Sequence, residues 1–166
     1  SNKDRILTLF NKSNHRNLRS LRKLLMEFER LFRSLDKDVQ KKQNLLNALL
    51  DLYIILSMEI YSGDILPREI NSLIGNACIA RAIKDKKGKK ENKYAIIEKK
   101  YEISLYETIL PPSLWRDFFE KGYLNDKELN NLLKDTVYFL EKDSLDWKKL
   151  WRVYDLENKD FKRLYL

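Results

Sequence analysis

The sequence predicts an all-α fold: a helical bundle of three longer helices followed by a cluster of shorter ones. Four glycines and three prolines punctuate 166 residues, too few for the many turns of a β-sandwich or barrel. Apolar residues recur at spacings of three and four over long stretches, the period of one helical face. With 43% hydrophobic residues the chain can build a core, so its 35% charged residues belong to solvated faces rather than to a disordered polymer.

The elements follow in order. KDRILTLF (3–10) reads as a short helical or extended lead-in, and the polar break at 11–14 offers Ser13 or Asn14 as the cap of the next helix. That helix runs to Leu35, with Leu18, Leu21, Leu25, Phe28 and Phe32 marking its inner face. A second long helix is expected over 38–61, with Asp36 or Asp38 near its start and Gly63 suited to a left-handed C-terminal turn. Its apolar run LLNALLDLYIILSMEIY is interrupted by Asn47, Asp51 and Glu59, so it reads as a core helix rather than a membrane span. Pro67 can occupy the first turn of a third helix, within which Gly75 and Ala77 would let another helix approach closely.

KDKKGKKENK (84–93) has six lysines, a central glycine and no apolar residue, and reads as a solvated surface loop. It divides the chain into a bundle, 1–83, and an aromatic-rich helical subdomain, 94–166, which pack as one body or apart. Residues 94–105 suit either a short helix or a small β-hairpin. Pro111-Pro112 with Ser113 as cap, then Gly122, bracket the next helix; Asn125 with Glu128 has capping-box spacing, and Ser144 starts a last helical signal.

The formal net charge is +8, a balance that attracts nucleic acid or an acidic protein surface. Cys78, the lone cysteine, sits in ACIARAI; it excludes an internal disulfide, reads as a packed thiol and fits a reducing, cytoplasmic setting. The chain opens on Ser1-Asn2 in place of an initiator methionine, which reads as the scar of a cleaved expression tag and is expected of a domain from a longer protein.

Catalytic patterns are lacking. Gly88-Lys89 is the one Gly-Lys pair, but Ile83 stands where a P-loop needs glycine and Lys90 where it needs Ser or Thr. His15, the single histidine, reads as a loop or capping residue, and no His/Cys/acid grouping has metal-ligand spacing. No activity is expected of this chain alone, and neither a metal nor another cofactor.

Binding signals are more evident. Arg16, Arg19, Lys23 and Arg30 fall on the side of the 18–35 helix opposite its leucines, with Glu27 among them. Such a stripe tracks phosphates or simply faces water. Lys86, Lys87, Lys89 and Lys90 of the lysine loop could add contacts to a nucleic-acid backbone, without aromatics to stack bases. Trp115, Trp147 and Trp151 are candidates for docking a protein partner, against a default role in the core.

The stretch Asn14-His15-Arg16-Asn17-Leu18-Arg19-Ser20-Leu21 resembles the N-x-R-x-L-x-x-L opening of a lid-subdomain helix in AAA-type and KAP-like P-loop NTPases. The resemblance covers about residues 13–32. It implies Arg16 as a sensor of a bound nucleotide's terminal phosphates and Arg19 as its neighbour, with ATP held by the full-length protein or a partner. The leading expectation is therefore an accessory or C-terminal helical domain of a larger bacterial ATPase, serving assembly, partner binding or nucleotide-state coupling, with antiviral defence as an implied context. A nucleic-acid-binding helical domain and a stand-alone protein-interaction module are the alternatives.

Overall fold

The computed structural model describes residues 2–15, 17–72, 93–105 and 109–139, apart from the side chain of Tyr94. Arg16, Gly75, Ala77, Cys78, the lysines from Lys84 to Lys90, Ser144, Trp147 and Trp151 lie outside the described residues.

Every regular element among the described residues is helical: α1 (Asn2–Lys12), α2 (Leu18–Ser34), α3 (Lys37–Gln40), α4 (Gln43–Ser62), a 3-10 turn (Pro67–Glu69), α5 (Lys93–Tyr101), α6 (Pro112–Lys121) and α7 (Asp126–Lys134). The lead-in is a full helix of 11 residues that buries Leu9 and Phe10. Ser13 ends it rather than capping the next: its Oγ donates to the Phe10 carbonyl at 2.6 Å. The cap of α2 is Asn17, whose Oδ1 accepts from the N–H groups of Arg19 and Ser20. Leu18 is thereby the first residue of α2, and it is 69% exposed rather than part of the inner face.

The helix expected over 38–61 is split. Residues 37–40 form one turn, Lys41 and Lys42 break it, and α4 then runs unbroken to Ser62. Gly63 closes α4 at φ 81°, the left-handed conformation that glycine adopts without steric cost. Buried on nearly all sides, α4 is the axis of the fold: Leu45, Leu49, Tyr53, Ile54, Ile55 and Met58 are fully enclosed. Each such aliphatic stabilises the fold by about 2 kcal/mol relative to exposure. By length and composition α4 could cross a bilayer, yet two thirds of its apolar stretch is buried inside the protein.

Helices α1, α2 and α3 pack on α4, α6 packs on the 3-10 turn and α7 on α3. Residues 93–101 form helix rather than one arm of a hairpin. Ile97 and Tyr101 reach the core, while Lys99 and Lys100 occupy the last turn, where cations meet the negative end of the helix. Helix α6 starts at Pro112 and ends at Gly122 (φ 75°); Ser113 lies inside its first turn and does not cap it. Asn125 caps α7, as expected, by accepting from Lys127 and Glu128.

Two buried polar knots join remote segments. Asn130 Nδ2 donates to the carbonyls of Ser34 and Asp126, and its Oδ1 accepts from the Asp36 N–H at 2.7 Å. Glu59, 2% exposed, accepts from the Tyr101 hydroxyl at 2.6 Å and from Lys100 at 2.7 Å. Lys12 adds a bond to the Tyr101 carbonyl, so the ends of α1, α4 and α5 share one network.

Candidate functional site

Helix α2 presents two unlike sides. Leu21, Leu24 and Leu31 are buried against α4, with Leu25, Phe28 and Phe32 half-buried around them. Arg19, Arg22, Lys23, Met26 and Arg30 are exposed on the other side, and with Glu27 they line a shallow groove of about 360 Å³. Arg19, Lys23 and Arg30 were expected there. Arg22 was not, though its position three residues after Arg19 and four before Met26 is the helical spacing that could have shown it.

The three arginines of this groove are uncompensated among the described residues, while Lys23 faces Glu27. Among the described residues no carboxylate pairs with Arg19, Arg22 or Arg30, whereas Arg5, Arg33 and Arg116 are paired with Asp51, Glu29 and Asp117. Glu27, the one acid in the stripe, does not neutralise it fully. Its Oε1 is 3.8 Å from Lys23, and its Oε2 accepts from the hydroxyls of Tyr53 at 3.1 Å and Tyr61 at 3.4 Å.

Lys23, Glu27 and Arg30 also form one wall of a deeper cleft of about 420 Å³, within the size range of small-ligand sites. Ile60 and Tyr61, at the end of α4, form its floor with Phe118 and Phe119 of α6. Tyr123 and Leu124, in the turn after Gly122, close the far side. Tyr123 is 68% exposed. Behind the cleft the rings interlock: Tyr53 stacks on Phe119 at 5.9 Å and meets Phe118 edge-on at 5.7 Å, and Phe119 stacks on Trp115 at 6.1 Å. Such offset and edge contacts rigidify the wall. Burial, reinforced by the charge and hydrogen bond of Glu27, pushes the Tyr61 hydroxyl up to about 12. The same causes push Tyr53 further in that direction. Both tyrosines therefore stay protonated donors at neutral pH and hold Glu27 in one orientation.

Trp115 is 1% exposed. As a core residue behind Phe119, it is not available as a docking anchor; the default reading of this aromatic applies. Arg16, Lys86, Lys87, Lys89, Lys90, Trp147 and Trp151 fall outside the described residues. His15 is half-buried with its ring 6.4 Å from that of Tyr61, and its Nε2 is enclosed without a hydrogen-bond partner among the described residues. No group of three His, Cys, Asp or Glu among the described residues is placed to hold a metal ion.

Comparison with protein-family models, with curated proteins and with solved structures finds no match for this chain. The geometry of α2 and its cleft therefore carries the functional reading.

Proposed function

We propose that this chain is a helical binding module whose α2 face holds the sugar–phosphate backbone of a nucleic acid. The observation that carries this reading is the unpaired set Arg19, Arg22 and Arg30, joined by Lys23, along one side of α2. Arg19 and Arg30 are eleven helical steps apart, a span of about 16 Å. That length suits a run of successive phosphates. Arginine is apt for the task because it stays charged and presents two N–H groups to phosphate oxygens.

Fluorescence anisotropy with a labelled single-stranded oligonucleotide tests the reading. Neutralising four phosphates gives a plot of log affinity against log salt a slope of roughly −3 for a single strand. Replacing Arg19, Arg22 and Arg30 by alanine should flatten that slope and weaken binding regardless of sequence. A flat signal at low salt for both DNA and RNA would overturn it.

A second reading keeps α2 as a phosphate sensor for a nucleotide held by another domain of a larger ATPase. Arg19, exposed and unpaired in the first turn of α2, is the observation that favours it. A sensor acts through one or two arginines at the helix start. The placement of unpaired Arg30 about three turns further on is better explained by a polymer.

A further inference from the structure

Resting on the nucleic-acid reading, we propose that the cleft beside α2 receives one unstacked base of a single strand and favours cytosine and adenine over thymine and uracil. Three features of the cleft support this. Tyr123 offers an exposed ring on its far side, and Phe118 lines it alongside Tyr61, whose ring already has the Lys23 ammonium over it at 5.8 Å; an exposed aromatic face such as that of Tyr123 stacks an unpaired base without regard to sequence. Lys23 and Arg30 belong to both the groove and the cleft, so a backbone lying along α2 passes the opening. The third feature is Glu27, whose carboxylate is the discriminating group.

The Oε2 atom of Glu27 is occupied by the two tyrosine hydroxyls, which fixes the carboxylate plane. Among the described residues its Oε1 is paired with Lys23 at 3.8 Å, beyond hydrogen-bond distance. A fixed acceptor of this kind pairs with the exocyclic N–H that cytosine carries at C4 and adenine at C6. It meets the carbonyl oxygen that thymine and uracil carry in the corresponding place with like-charged repulsion. Cytosine and thymine differ at that position with nearly the same ring shape, so they isolate the effect.

The test uses the full chain and two probes of equal length, oligo(dC) and oligo(dT), at one salt concentration. The inference predicts that oligo(dC) binds several-fold more tightly. It further predicts that Glu27→Gln inverts the order: the glutamine oxygen still accepts from Tyr53 and Tyr61, which turns its NH2 donor toward the cleft. Tyr123→Ala should weaken both probes by about ten-fold. Equal binding of the two probes by the unaltered chain overturns the inference while leaving the backbone reading intact. Absence of binding to either probe overturns the backbone reading itself. The comparison on the unaltered chain needs no variant to fold. A poly-glutamate competitor that displaces oligo(dC) as readily as oligo(dT) does would overturn both and point to an acidic protein partner.

Discussion

The hydroxyl of Tyr101 donates to the carboxylate of Glu59 at 2.6 Å, joining two buried residues 42 positions apart. Lys100 supplies the compensating charge at 2.7 Å. A buried ion pair of this kind adds little net stability, but removing one partner strands the other. Lys100→Met should therefore destabilise the fold by about 3 kcal/mol, read by urea denaturation. Adding Glu59→Leu to that variant should recover part of the loss. If Lys100→Met costs nothing, Glu59 is not held as described.

Asn130 fixes α7 to the corner between α2 and α3 with two bonds, donating to the Ser34 carbonyl and accepting from the Asp36 N–H, while a third goes to Asp126 within α7. Asn130→Asp is nearly isosteric, yet it loses both donors and brings a charge against the carbonyls of Ser34 and Asp126. Leaving those groups unsatisfied should cost about 3 kcal/mol, visible as a lower urea midpoint with an unchanged slope. A wild-type midpoint would show that the corner is not closed by this side chain.

Tyr61 gives the fold an alkaline limit. Its pKa is raised from 10.0 to about 12 in the folded state, first by burial and then by Glu27. The folded state therefore binds the proton more tightly than the unfolded one. The contribution is fully present below about pH 10 and is lost as pH rises through about pH 12. Denaturation midpoints should hold steady to about pH 9 and then fall, and Tyr61→Phe should make the fall shallower. An unchanged alkaline profile in Tyr61→Phe would contradict the assignment.

Trp115→Ala should act on stability rather than on a partner. Truncating this enclosed ring leaves a cavity beside Phe119 and should cost about 3 to 5 kcal/mol. A folded, equally stable variant would return Trp115 to the surface.

Local chemistry was legible in the sequence and remote pairing was not. The turns at Gly63 and Gly122, the Asn125 cap and the leucine face of α2 depend on neighbours within a few residues, so spacing discloses them. Asn17 was missed as the α2 cap because Ser13 and Asn14 carry the same chemistry a few positions earlier. Glu59 read as an interruption of an apolar run because its partners Lys100 and Tyr101 are 41 and 42 positions away. Glu27 read as a flaw in a basic stripe for the same reason: the tyrosines that orient it are 26 and 34 positions away on α4. Arg19, Lys23 and Arg30 of the candidate site were visible on one helix, while Arg22 was missed. The cleft was not, since its far wall comes from Tyr123, which follows a helix-ending glycine and has no periodic signal of its own.

The central claim is that the cations on α2, rather than the overall positive charge, bind nucleic acid. Two charge-reversal variants of identical net charge separate these: Arg19, Arg22 and Arg30 to Glu, and the exposed Lys3, Lys37 and Lys99 to Glu. With folding checked by circular dichroism, affinity for a labelled single strand is measured at low salt. The account predicts that binding is lost in the α2 variant and largely kept in the control. Equal loss in both would reduce the interaction to bulk charge and contradict it.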